Sequence, residues 1–177
     1  MKTVYQRGAE NGLIIGLFLT VVSSLLLAAA DMNVPSILVL ALFLLFPVIS
    51  FMMLRKTFRE ERGETMLSAL WLQGIVGYVG GSLIFALAGY VYLRWINPMF
   101  IPDQVAEAIR IYSDVDDPNA QEVATVLRQI EKTNAYPSPQ QIVTELGLFI
   151  TFIGSVTSLL IATFLTFSGK RKRKNTL

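Results

Sequence analysis

One stretch of this chain, residues 66–95, is long, apolar and free of charged side chains until Arg94. Glycines recur in its first half, at Gly74, Gly77, Gly80 and Gly81. Each would destabilise a water-exposed helix by about 1 kcal/mol relative to alanine. In lipid, by contrast, small residues allow a neighbouring helix to approach closely. The stretch therefore predicts a membrane-spanning helix against which other helices pack.

The composition of the chain favours a membrane protein. Of its 177 residues, 53% are hydrophobic and 16% are charged, whereas a soluble domain carries about 25% charged residues. The absence of cysteine and histidine excludes disulfides and removes the commonest metal ligand and general base. The net charge of +2 is too small to suggest a nucleic-acid partner. We therefore expect no cofactor, no metal and no nucleic acid.

Four apolar runs are long enough to cross a bilayer: residues 12–30, 35–54, 66–95 and 146–167. The shortest, 12–30, would form a helix roughly 28 Å long, close to the hydrocarbon thickness of about 30 Å. The runs predict an all-α integral membrane protein, a four-transmembrane-helix bundle that forms a single membrane domain over residues 1–177. Pro47 lies inside the second run and should kink it, which membrane helices tolerate.

The first run also resembles a secretory signal peptide, because Ala28, Ala29 and Ala30 precede Asp31 as they would at a cleavage site. Two lengths count against this interpretation. The run is longer than the usual apolar core of a signal peptide, and cleavage would leave only a short link before the second run. We therefore expect a retained span.

Small residues recur at helical spacing in three of the runs. In the first run they lie four residues apart from Gly12 onward, and the fourth run carries two such rows. Such rows are where transmembrane helices touch. The predicted helix-packing residues are Gly12, Gly16, Gly74, Gly77, Gly81, Gly147, Gly154 and Ser158. A compact bundle needs such contacts within one chain, which favours an intramolecular seam, and a homodimer face is the alternative.

The segment 97–144 is polar and predominantly acidic. It predicts two helices, one over about Asp103–Ser113 and one capped by Asp117, with Pro118 at its first position. Ser138 is the predicted N-cap of a helix that continues into the fourth run. The neighbouring Asp114, Asp116 and Asp117 lack the spacing of a calcium loop, so a solvated turn is favoured. The predicted outer-interface or partner residues are Arg94, Trp95, Asn97, Asp103, Glu107 and Glu145.

Lysine and arginine residues indicate the orientation, because they accumulate on the cytoplasmic side of membrane proteins. Lys2 and Arg7 precede the first run, four basic residues follow the second at 55–62, and five follow the fourth at 170–174. The turn after the first run has none. Both termini, including the basic tail 169–177, are predicted inside, with the segment 97–144 outside.

Motifs that would identify a chemistry are missing. There is no phosphate-binding glycine loop, nucleophile elbow or metal-ligand spacing, and the first, second and fourth runs contain no ionisable residue of the kind that transporters use. The segment Gly77-Tyr78-Val79-Gly80 is similar to part of a potassium-channel filter. It lies within a helix-length apolar run, however, and not in a re-entrant loop.

The end of the third run reads Tyr90-Val91-Tyr92-Leu93-Arg94-Trp95-Ile96-Asn97-Pro98, and the fourth contains Gly154-Ser155-Val156-Thr157-Ser158-Leu159-Leu160-Ile161-Ala162. These segments and the layout of the spans resemble the domain of unknown function 4199 family, small integral membrane proteins of Bacteroidetes-type bacteria. The resemblance covers nearly the whole chain. It implies a multi-pass protein of the bacterial inner membrane and supplies no activity and no functional residues.

Three functions remain open from the sequence. The first is a non-enzymatic accessory or scaffold protein, which binds the lipid bilayer and either another membrane protein or a second copy of itself. The second is a small transporter or channel for an apolar or lipid-like substrate, with Gln73 and the hydroxyls of the fourth run available to line a path. The third is a subunit of an enzyme that modifies membrane lipids. The lack of intramembrane charge favours the first.

Overall fold

The computed structural model describes residues 3–31, 36–61 and 63–174, with side chains for 3–25, 44–61 and 63–169. Within those residues all the regular secondary structure is helical, which confirms the predicted all-α class. The helices are α1 Val4–Asp31, α2 Ser36–Glu60, α3 Leu67–Val91, α4 Phe100–Ser113, α5 Pro118–Thr133 and α6 Pro139–Lys174, with a π-helical turn at Tyr92–Ile96 after α3.

Among the described residues, three helical stretches are long and apolar enough to cross a membrane: Val4–Leu25, Leu67–Ile96 and Pro139–Gly169. They correspond to the first, third and fourth predicted runs. The first half of the second run lies outside the residues whose side chains are described. The chain divides into two compact units. The first unit comprises residues 1–86 and 146–177, and the second comprises residues 87–145.

Helices α1 and α6 both begin before the apolar run that predicted them. Thr3 caps α1, because its hydroxyl oxygen accepts from the Gln6 backbone N–H at 3.2 Å while Gln6 Oε1 accepts from the Thr3 N–H. Ser138 and Gln141 form the same reciprocal pair ahead of α6. Each pair satisfies backbone donors that the first turn of a helix leaves free. The predicted N-cap at Ser138 is therefore confirmed.

In the first unit, α3 contributes to both apolar clusters of the core. Leu70 of α3 packs with Leu54 of α2 and with Ala162 and Leu165 of α6. Further along α3, Tyr78 packs with residues of α1, chiefly Ile15. The helix that the sequence marked by its glycines thus has neighbours on several sides.

In the second unit, α4 and α5 pack against each other as a helical hairpin whose connection is a short turn. Asp117 caps α5 as predicted, since its Oδ1 accepts from the Asn119 N–H at 2.8 Å, and Pro118 is the first helical residue. The first predicted helix begins at Phe100 instead of Asp103. The π-helical turn, unforeseen from the sequence, closes with a 2.8 Å bond from the Asn97 N–H to the Tyr92 carbonyl, just before Pro98 excludes further helix.

Candidate functional site: polar side chains buried along the third helix

Most of the buried residues of α3 are polar residues or glycines. Gln73, Tyr78 and Ser82 are buried there, and glycines lie between them. At about 100° per residue, Tyr78 and Ser82 lie on adjoining faces of the helix, whereas Gln73 lies on the side opposite Ser82. The glycines allow neighbouring helices to approach, so that polar groups of α2 and α6 reach the side chains of α3. We call Gln73, Tyr78, Ser82 and their partners the polar row.

The first member of the polar row is Gln73, which is only 2% exposed. Its Nε2 donates to the Thr57 hydroxyl of α2 at 3.0 Å, and Thr57 is itself buried. An amide that is left unpaired in an apolar medium is strongly unfavourable. This bond therefore fixes α2 against α3, and both groups serve packing.

Tyr78 lies in the middle of the row and is 1% exposed. Its hydroxyl is 2.6 Å from Ser50 Oγ of α2. Since the single Ser50 proton is donated to the Phe46 carbonyl at 3.1 Å, Tyr78 is the donor to Ser50. The Phe46 ring meets the Tyr78 ring edge-on at 5.2 Å, and Gly154 of α6 lies directly against the ring, where a Cβ atom would overlap it.

The third bond of the row joins α3 to α6. Ser82 Oγ donates to the Val79 carbonyl at 2.9 Å, so the Thr151 hydroxyl, 3.0 Å away, donates to Ser82. Trp71 adds a second link between these helices, because its Nε1 donates to the Ser155 carbonyl at 3.2 Å. The predicted packing residue Gly147 faces Ser82 without a clash, since an added Cβ would lie 3.9 Å from the Ser82 carbonyl, an ordinary van der Waals distance.

Ser158 of α6 lies close to the polar row and differs from the hydroxyl groups of the row. It has no exposed surface, and its Oγ has no hydrogen-bond partner in the described part of the chain. It lies against Gly74 of α3, where any Cβ would overlap its side chain. Sequence reasoning marked Ser158 as a packing residue and could not show that its hydroxyl is unpaired.

A glycine seam joins α1 to α3. A Cβ at Gly12 would lie 2.9 Å from the Gly77 carbonyl, one at Gly16 would lie 2.7 Å from Ile84 Cβ, and one at Gly81 would lie 2.6 Å from Ile15 Cγ2. The seam extends to Gly8, one turn before Gly12, where a Cβ would meet Val76 at 2.7 Å. The prediction omitted Gly8 because it precedes the apolar run, although it has the same four-residue spacing.

The sequence analysis also did not predict an ion pair between the start of α1 and the end of α2. Arg7 Nη1 is 2.5 Å from Glu61 Oε1 and its Nη2 is 3.7 Å from Glu60 Oε2, both at the end of α2. The Arg7 side chain is only 12% exposed. From the sequence, Arg7 was counted only as a charge that sets orientation.

The predicted outer-interface residues all belong to the second unit. Trp95 is exposed and meets the Tyr90 ring edge-on at 6.1 Å, and Glu107 pairs with Arg110 in its own helix at 2.6 Å. In the described part of the chain, no hydrogen bond or ion pair joins one predicted residue to another. Of the remaining predicted outer-interface residues, Arg94, Asp103 and Glu145 are exposed. Asn97 is half-buried, and its Nδ2 donates to the Tyr92 hydroxyl at 3.4 Å.

The geometry of the polar row is that of side chains used to hold helices together. Among the described residues there is no group of three or more acidic side chains placed to hold a metal ion. Asp114, Asp116 and Asp117 are exposed, and Asp117 is engaged as the cap of α5.

A family model described as "Protein of unknown function (DUF4199)" matches residues 10–166. The chain belongs to this family. The match agrees with the resemblance seen in the sequence, and its boundaries include every member of the polar row as well as the whole second unit of this DUF4199 chain. Comparison with curated proteins and with solved structures returns no match.

Proposed function

We propose that this protein is a non-enzymatic accessory or scaffold protein of the bacterial inner membrane. In this proposal four helices cross the bilayer, both termini are cytoplasmic, and the acidic segment 97–144 recognises a partner outside. The bacterial inner membrane is what the family resemblance implies. The observation that supports the scaffold role is the polar row, whose buried amide and hydroxyl groups form hydrogen bonds between helices.

The exposure pattern of α2 supports a fourth span. In its described half, Leu44 is 68% exposed, Val48 49% and Met52 64%. These residues recur every four positions and so form one apolar stripe that faces away from the core. Ser50 and Leu54 are buried on the opposite side. A helix with an uncovered apolar stripe beside three candidate spans is best explained by contact with lipid.

Contacts at one end of the first unit support the orientation. Arg7 at the start of α1 reaches Glu61 at the end of α2, and a Cβ at Gly169 near the end of α6 would lie 2.7 Å from the Phe58 ring of α2. The three ends therefore lie together. The sequence places basic residues at each of them, which is the distribution expected on the cytoplasmic side.

The small space beside the polar row favours a scaffold over a transporter. The cavity that the polar row borders has a volume of ≈ 10 Å³, whereas small-molecule sites occupy about 300–1,000 Å³. The bonds Gln73–Thr57 and Ser82–Thr151 also hold α3 to its neighbours. A transport path would have to break such bonds at each cycle.

The second unit offers the surface for a partner. On its α4–α5 hairpin Ile111 is 53% exposed and Val126 is 54% exposed, among predominantly acidic side chains. Apolar residues within a charged surface are typical of protein interaction sites. A partner with a basic rim and an apolar centre would suit this surface, which favours another membrane protein over a second copy of this acidic segment.

Site-specific photo-crosslinking in native membranes tests the proposal. A photoreactive residue at Val126 or Tyr112 should give one reproducible protein adduct, and the same residue at lipid-facing Leu160 should give none. Deletion of 103–134 should leave membrane insertion intact and abolish the adduct. Absence of any protein adduct from the hairpin, self-crosslinks included, refutes the scaffold role. Solute uptake by proteoliposomes would favour the transporter instead.

A further inference from the structure

Polar side chains from four helices border one small cavity in the first unit. Asn11 of α1, Ser50 of α2, Tyr78 of α3 and Ser158 of α6 line it, and Gly74 forms part of its wall. Its volume is ≈ 10 Å³, at the lower end of the roughly 10–15 Å³ that one water molecule needs. Nothing larger than water fits this space.

We propose that one water molecule binds in this cavity and joins α1, α3 and α6 through hydrogen bonds. The inference does not depend on the scaffold role. It concerns a ligand site inside the membrane-spanning helices, formed by side chains that have no common motif in the sequence.

The behaviour of Ser158 is the main reason for the proposal. Hydroxyls in membrane helices usually donate to the carbonyl four residues earlier. In this chain Thr20 donates to the Gly16 carbonyl, Ser24 to the Thr20 carbonyl and Ser50 to the Phe46 carbonyl. Ser158 is fully buried yet makes no such bond. Its proton is therefore available to a molecule in the cavity that its side chain borders.

The donor and acceptor roles in the neighbouring hydrogen bonds show which other groups can bond the proposed water. Tyr78 donates its proton to Ser50, because Ser50 has already donated its own to Phe46. The Tyr78 hydroxyl oxygen thus keeps a lone pair for a donor. Water in the cavity can accept from Ser158, donate to Tyr78 and bond the amide of Asn11, which together make the three bonds that a buried water typically forms.

A double-mutant cycle on the full-length protein tests for the shared water. Ser158→Ala and Tyr78→Phe each remove one bond to it, and Ser158 makes no direct bond to Tyr78. Equilibrium unfolding in mixed micelles should therefore show the two substitutions coupled by about threefold or more in the folding equilibrium constant. The matched control pairs Ser158→Ala with Ser82→Ala, whose hydroxyl bonds Thr151 outside the cavity, and this pair should be additive.

In the unfolding experiment, two results overturn the proposal. One is additivity of the Ser158 and Tyr78 substitutions, which would mean that nothing connects them. The other is a Ser158→Ala variant more stable than the natural protein, as expected if the hydroxyl is buried dry. Water-edited solid-state NMR on the protein in bilayers gives a second readout. Magnetisation should pass from water to Tyr78 in the natural protein and fall in Ser158→Ala, and equal transfer in both would also refute the site.

Discussion

Gly154→Ala should destabilise the first unit far more than Gly147→Ala does. A Cβ at residue 154 would overlap the Tyr78 ring, and the ring cannot retreat freely because Phe46 meets it edge-on and its hydroxyl is bonded to Ser50. Gly147→Ala is the matched control. It lies two turns earlier in the same helix, and its Cβ would lie 3.9 Å from the nearest atom, an ordinary van der Waals contact.

The magnitude follows from the contacts. Overpacking a close-packed site destabilises by about 1–3 kcal/mol, and loss of the Tyr78–Ser50 bond adds roughly 0.6–2 kcal/mol in a membrane protein. Replacing glycine by alanine returns up to about 1 kcal/mol of helix propensity. The net loss should be about 2–3 kcal/mol, which corresponds to roughly a 30- to 150-fold change in the folding equilibrium constant.

Equilibrium unfolding of purified full-length protein in mixed micelles measures this difference. Gly147→Ala should be neutral or slightly stabilising, because its methyl group meets only ordinary van der Waals distances. If Gly154→Ala unfolds at the same detergent composition as Gly147→Ala, the proposed close approach of α6 to Tyr78 is wrong.

Three further predictions rest on single contacts. Gln73→Leu alone should destabilise by about 1–2 kcal/mol, measured by unfolding, and adding Thr57→Val should recover part of the loss because both polar partners are then gone. Arg7→Gln should lower stability by about 1 kcal/mol or less at low salt, with a smaller effect in molar salt, because its ion pair with Glu61 is partly exposed. Asp117→Ala should reduce the helicity of the α4–α5 hairpin through loss of a cap worth about 1 kcal/mol, seen by hydrogen exchange, and should leave membrane insertion unchanged.

The sequence alone determined the class of the protein and much of its layout. Long uncharged runs cannot be solvated by water, and their backbone must be satisfied internally in lipid, so helices follow directly. Local signals were equally reliable: Asp117 with Pro118 and Ser138 with Gln141 form helix starts through bonds to residues two or three positions away. Boundaries were less certain. The cap at Thr3 lies in polar sequence, so α1 begins before the apolar run that predicted it.

Only the tertiary structure decided which small residues make close contacts. Gly147 and Gly154 look alike in the sequence, yet a Cβ would make ordinary contacts at Gly147 and would overlap the Tyr78 ring at Gly154. Likewise the sequence could not pair Gln73 with Thr57 or leave Ser158 unpaired, because such bonds depend on how neighbouring helices rotate about their axes. Helical periodicity fixes which face a residue occupies, and the packing of several helices determines what that face meets.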